Sequence, residues 1–271
     1  MQKLDRQILS DFSKLTVIFL YLILFKYIDV LLKNIGFRGY GYFEVVIFWL
    51  VTTWLIYTQM RAFREIAKKW MLRNVLNKNH WFTGFLENRT IFLSVTAFIV
   101  SFIISPFLLS FIYTANEYIL ILLFVDIFIF YFLETKIKYN FKRAFNPDFA
   151  KLMSEFAPVL INILVLCLLF IVISIWDKSN VFAVGSIEIP QTVGMEVNHS
   201  CKFFKWFVIT NYLIELHIKS LRTIPDAGWY IYLIIIFATT SLVPFSGTSM
   251  IYKTVLKFRL PKFSKKTPVK E

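Results

Sequence analysis

The chain has 271 residues, 58% hydrophobic and 19% aromatic, with 30 Lys and Arg against 17 Asp and Glu for a net charge of +13; its mean hydropathy is +0.64. A soluble globular chain is about 45–50% apolar, so the composition excludes an ordinary soluble domain and makes the basic balance an orientation signal of a multi-pass protein instead of a nucleic-acid footprint. Cys167 lies in an apolar run and Cys201 in a polar stretch, in no CxxC or metal-ligand spacing, so neither a disulfide framework nor a metal site is expected.

Residues 1–14, MQKLDRQILSDFSK, mix both charge signs and read as a short cytoplasmic N-terminus. Crossing a hydrocarbon core of about 30 Å takes about 20 mostly apolar helical residues. Six segments qualify, at 15–33, 42–60, 90–113, 117–135, 157–176 and 229–252. The first is too long for a signal-peptide core and lacks a small-residue cleavage site, so it is expected to be retained. The predicted fold is an all-α polytopic integral membrane protein with about six transmembrane helices. Counted by alternate connections, Lys and Arg number 22 in 1–14, 61–89, 136–151 and 253–271, and 7 in 33–41, 114–116 and 177–228. That bias places both termini in the cytoplasm. With no sorting motif, it points to a bacterial inner membrane.

In the first span, LFKYIDVLLK carries Lys26 and Asp29 three residues apart, hence on one helix face. After the second span, RAFREIAKKWMLRNVL sets Phe63, Ile66, Ala67, Trp70 and Met71 at helical spacing. Arg61, Arg64, Lys68, Lys69 and Arg73 supply cations between them, and Glu65 and Lys69 form an i,i+4 pair. This predicts a basic amphipathic helix over 61–76 on the cytoplasmic surface, facing anionic lipid headgroups or a protein partner. Pro106 marks a minor kink in the third span.

The fourth span contains ILLFVDIFIFYFLE, with Asp126 nine residues from Glu117 and eight from Glu134. A charge near the bilayer centre costs about 2.5–3.5 kcal/mol, so Asp126 must face the bundle, carry a proton or have a partner. Lys26 is about 10 Å from the outer end of its helix and Asp126 about 13 Å from the same side, so a Lys26–Asp126 contact is allowed. It would be either a packing device or part of an ion or proton path. The next basic segment contains RAFNPDFAK (143–151), which echoes RAFREIAK (61–68) and would fit a duplicated hairpin. Asn162 in the fifth span is a candidate interhelical hydrogen bond.

Residues 177–228 are expected to form one larger outer loop, whose CKFFKWFVITNYLIELHIKSL stretch lies in the outer interface or re-enters the membrane. In the sixth span, FATTSLVPFSGTS places Thr239, Thr240 and Ser241 at mid-membrane, followed by Pro244. Such a segment either lines a polar pathway or frays at the cytoplasmic end. The basic 253–271 tail is expected to be disordered or to lie along anionic headgroups.

The chain has no HExxH, P-loop, GxSxG or GxGxxG motif, and His80, His199 and His217 are scattered, so no catalytic residue, cofactor or metal is expected. A carrier with paired broken helices is disfavoured, because one clear break is visible. The sequence points to a membrane subunit acting with a protein partner or as a homo-oligomer, either a small channel or pore-type component or the membrane anchor of a complex. A small ion- or proton-coupled transporter using Asp126 and Lys26, and a purely structural or immunity-type membrane protein, are the competing readings.

Overall fold

The computed structural model describes residues 2–35, 41–76, 83, 89–115, 117–176, 201–206, 209 and 242–257. Six helices hold most of them: α1 (Gln2–Asn34), α2 (Gly41–Asn74), α3 (Thr90–Thr114), α4 (Glu117–Ala144), α5 (Pro147–Trp176) and α6 (Val243–Lys257). The first five are long and apolar enough to cross a membrane, and no strand occurs among the described residues. The chain is therefore an all-α polytopic integral membrane protein. Thr239, Thr240 and Ser241, most of the 177–228 stretch and the tail beyond Lys257 lie outside the described residues.

Several helices run further than hydropathy suggests. α1 begins at Gln2, so residues 2–14 are its first turns and not a separate N-terminus. α2 continues unbroken for 34 residues, about 51 Å at 1.5 Å per residue and well beyond the hydrocarbon thickness. The 61–74 stretch thus prolongs the second span; it does not start a separate helix on the membrane surface. Good helix formers (Arg, Glu, Ala, Lys, Met) fill it, with no Gly or Pro to interrupt them. Its apolar stripe is partly covered from within the chain: the rings of Phe63 and Phe156 lie 5.7 Å apart, and those of Trp70 and Phe149 6.0 Å apart, while Met71 stays exposed.

The basic segment from 136, expected as a cytoplasmic loop reaching to 156, is helical as well. α4 runs to Ala144 and α5 starts at Pro147, which leaves Phe145 and Asn146 as the connection. Asn146 stands before the helix, Pro147 occupies the first position, where its missing N–H costs nothing, and Asp148 meets the positive helix end. The Ala150 N–H donates to the Asn146 carbonyl at 2.8 Å. RAFNPDFAK therefore straddles a tight helix–helix turn while RAFREIAK lies inside an unbroken helix, and the duplicated hairpin fails.

The hairpins α2–α3 and α4–α5 bring together the ends of α2 and α4 and the starts of α3 and α5, so the basic segments gather at one end of the bundle. We call this the basic end. Between the hairpins and α1 runs α6, which touches all five other helices. Pro244, Phe245, Gly247, Thr248, Ser249 and the whole run Ile251–Val255 are buried. Gly247 permits this close approach: a Cβ there would meet Leu108 Cδ2 at 3.1 Å and Ile104 Cγ2 at 3.3 Å. The outer helices are apolar on both faces. On α4, Ile121, Phe124, Phe128 and Phe132 are exposed while Leu122, Leu123, Ile127 and Phe130 are buried, as expected where lipid is as apolar as the core.

Candidate functional site: a polar column along the central helix

Asp126 lies on the buried stripe of α4 and is 0% exposed. Asn162 of α5 stands beside it and Tyr252 of α6 is within electrostatic reach. Neither carboxyl oxygen has a partner in hydrogen-bonding geometry, and Asn162 Oδ1 is equally unpaired. Asn162 Nδ2 donates to Ser249 Oγ at 3.0 Å, the interhelical bond its position in the fifth span suggested. The Tyr252 hydroxyl donates to the Leu123 carbonyl at 3.2 Å. Three helices thus close a polar layer at mid-span around a carboxyl group.

A second layer lies eight residues further along α4, about 12 Å toward the basic end. Lys253, 1% exposed, is ion-paired with Glu134, lies 3.9 Å from Glu155 and donates to the Ser154 carbonyl at 2.9 Å. Lys257 pairs with Glu155 at 2.6 Å and Lys138 with Glu134 at 3.6 Å. This corrects the reading of 253–271 as a tail beyond the membrane: residues 253–257 belong to α6. A hydropathy window ends the span at a lysine because it cannot see carboxylates that arrive from other helices.

Lys26 and Asp126 do not meet. The Lys26 ammonium donates to the Ala115 carbonyl, with Glu117 within electrostatic reach. Ala115 adjoins the start of α4, and Asp126 is nine residues beyond Glu117, about 13 Å away. The long lysine stem carries its charge toward the bundle end, the usual behaviour of such side chains in membranes. Asp29 is buried, as is Glu44 of α2, and both act electrostatically on Tyr113. Lys26, Asp29, Glu44, Tyr113 and Glu117 therefore form a third charged layer at the end opposite the basic one.

The cations of 61–76 are mostly engaged within the chain. Arg64 donates to the Leu93 carbonyl at 3.3 Å and to Thr96, and Lys68 to Thr90 at 3.2 Å. Arg73 pairs with Asp148 at 3.4 Å. Glu65 takes Arg61 at 2.9 Å on the preceding turn, where spacing had suggested Lys69. A groove of ≈150 Å³ remains between α2 and α5, lined by Ile66, Lys69, Trp70, Arg73, Asp148 and Lys151.

Further polar contacts tie α6 and its neighbours. Thr254 donates to the Leu55 carbonyl at 2.8 Å, Thr53 bonds Ser105 at 2.9 Å, and Tyr21 donates to the Phe48 carbonyl at 2.9 Å. Gln59 is 1% exposed with both amide atoms unpaired. Pro244 stands in the first described turn of α6 and is buried. Beyond it, α6 is buried and regular, not frayed. Both cysteines are buried thiols, Cys201 accepting the Phe204 N–H at 3.5 Å. Sequence reasoning missed Glu134, Glu155, Lys253 and Tyr252. The one available signal was Glu134 falling eight residues after Asp126 on the same helical stripe.

No family model, curated protein or solved structure matches this chain.

Proposed function

We propose that the chain is a membrane-embedded subunit acting with partners, and that the column along α6 makes it a small channel-type component. Asp126 carries this reading. A fully buried carboxyl with an amide beside it and no partner in hydrogen-bonding geometry, at mid-span on a helix that otherwise buries only apolar groups at that depth, is expensive in a membrane. Polar side chains continue from it toward the basic end through Tyr252, Lys253, Glu134 and Glu155. The Lys and Arg bias supports placing both termini in the cytoplasm, and the setting we favour is a bacterial inner membrane. The groove at Lys69, Arg73 and Lys151 is then where a cytoplasmic protein partner is met, while cations nearer the membrane face anionic headgroups.

A second reading, in which the charges only select which helices pack together, is favoured by the Lys253 layer, whose charges are satisfied within the chain. The test is ion flux through purified protein in liposomes, wild type beside Asp126→Asn. Flux that disappears in the variant supports a conducting column. Absence of flux from folded wild type supports the structural reading.

A further inference from the structure

We infer that the ion taken by this column is the proton, bound between Asp126 and Asn162 and shielded from metal cations by Lys253; this rests on the column being a conduction path. Asp126 Oδ1, Asp126 Oδ2 and Asn162 Oδ1 are three unpaired acceptors side by side in the bundle interior. Asn162 Nδ2 spends one of its two N–H groups on Ser249 Oγ at 3.0 Å, and even where the other turns toward Asp126 the amide oxygen and one carboxyl oxygen stay without a donor. A single proton on the carboxyl resolves the conflict, because a neutral carboxylic acid donates one O–H and Asn162 Oδ1 can accept it. A sodium or potassium ion would need its hydration shell replaced by a ring of oxygens. Among the described residues the site presents three uncommitted oxygens, because Ser249 Oγ is held by Asn162 and the Tyr252 hydroxyl by the Leu123 carbonyl.

The basic side of the column selects in the same direction. Glu134 and Lys138 of α4, Glu155 of α5, and Lys253 and Lys257 of α6 meet there, three cations against two carboxylates. A metal cation moving between Asp126 and this end has to pass the buried ammonium of Lys253 at contact distance. A proton does not. On this proposal water admitted between the two layers, about 12 Å apart along α4, carries it from the Asp126 carboxyl to the Glu134 or Glu155 carboxylate, Asp126 returns to its charged form, and Lys253 keeps its own protons.

The experiment uses the purified full chain in liposomes that enclose a pH dye or a sodium dye, with a potassium diffusion potential set by valinomycin. Wild type is expected to pass protons and exclude sodium, Asp126→Asn to fall to the rate of empty liposomes, and Lys253→Met to admit sodium while Lys253→Arg still excludes it. In parallel, the infrared C=O stretch of a protonated carboxyl should be present in wild type and missing in Asp126→Asn. Sodium flux through wild type overturns the proton assignment but leaves conduction standing. Flux of neither ion removes conduction, and the infrared band then decides the proton site alone. Lack of that band overturns the site.

Discussion

Lys253→Met tests the interior of the bundle most sharply. The Lys253 side chain is 1% exposed, and its partners Glu134 and Glu155 are 12% and 16% exposed. Removing one member of a buried pair costs about 3–5 kcal/mol, because the other charge is left uncompensated. Glu155 retains Lys257 at 2.6 Å, whereas Glu134 retains only Lys138 at 3.6 Å, half-exposed and of little worth. The loss therefore falls on Glu134, and about 3 kcal/mol is expected, the lower end of that range. Lys253→Met combined with Glu134→Gln removes both unlike charges, and methionine fills the vacated path with a flexible apolar chain. The double variant should recover about 2 kcal/mol, a coupling typical of residues in direct contact. Lys253→Met with Glu155→Gln should recover less. Reversible unfolding by sodium dodecyl sulfate in mixed micelles, followed by tryptophan fluorescence, measures all four. If Lys253→Met lies within about 0.5 kcal/mol of wild type, as an exposed tail residue would, or if the double variant is no more stable than the single, Lys253 is not held by these carboxylates.

Gly247→Val should destabilise by about 1–3 kcal/mol in the same assay, because the new side chain meets Leu108 and Ile104 where α6 packs closest; Gly247→Ala, opposed only by flexible side-chain ends, should cost less. Thr53→Val with Ser105→Ala removes the α2–α3 bond of 2.9 Å, and a loss near 0.6 kcal/mol, the average for such bonds in a membrane, is expected. With Cys167 and Cys201 replaced by alanine, Ile35→Cys should react with an impermeant maleimide on intact cells, and Lys142→Cys only after permeabilisation; the reverse pattern inverts the proposed orientation.

The apolar periods and the alternation of basic segments made the helices and their grouping legible, because both depend on local composition. The helix ends were less so. Lys14, Arg61 and Lys136 looked like membrane boundaries, yet helix propensity carries α1, α2 and α4 straight through them. Asn146-Pro147-Asp148 did contain a readable helix start, hidden by its likeness to the 61–68 stretch. The column was half legible. Asp126 stood out against an apolar background and Asn162 was assigned its role correctly. Lys253 was not legible at all, because its burial depends on two carboxylates brought in by α4 and α5. Nor could hydropathy show that α6 is central, since a helix shielded from lipid has no need of an apolar surface and so reads as the weakest span.

The spacing of acids along α4 bears on which reading the column deserves. Glu117, Asp126 and Glu134 follow one another at nine and eight residues, about 13 and 12 Å along one helix. The two outer acids each have a lysine: Lys26 acts on Glu117 and Lys253 pairs with Glu134. The middle acid, among the described residues, has an amide and a phenol for neighbours and no cation. A bundle that used charges only to register its helices would compensate first the acid furthest from water, where an unpaired charge costs most. Here the compensation is placed the other way round, at the two ends. A group meant to exchange a proton has to be left without a fixed countercharge, because a permanent cation beside it would hold it in one state. The even ladder on α4, paired at its ends and open at its centre, is therefore what the proposed transfer at Asp126 requires, and the flux of wild type beside Asp126→Asn decides between transfer and packing.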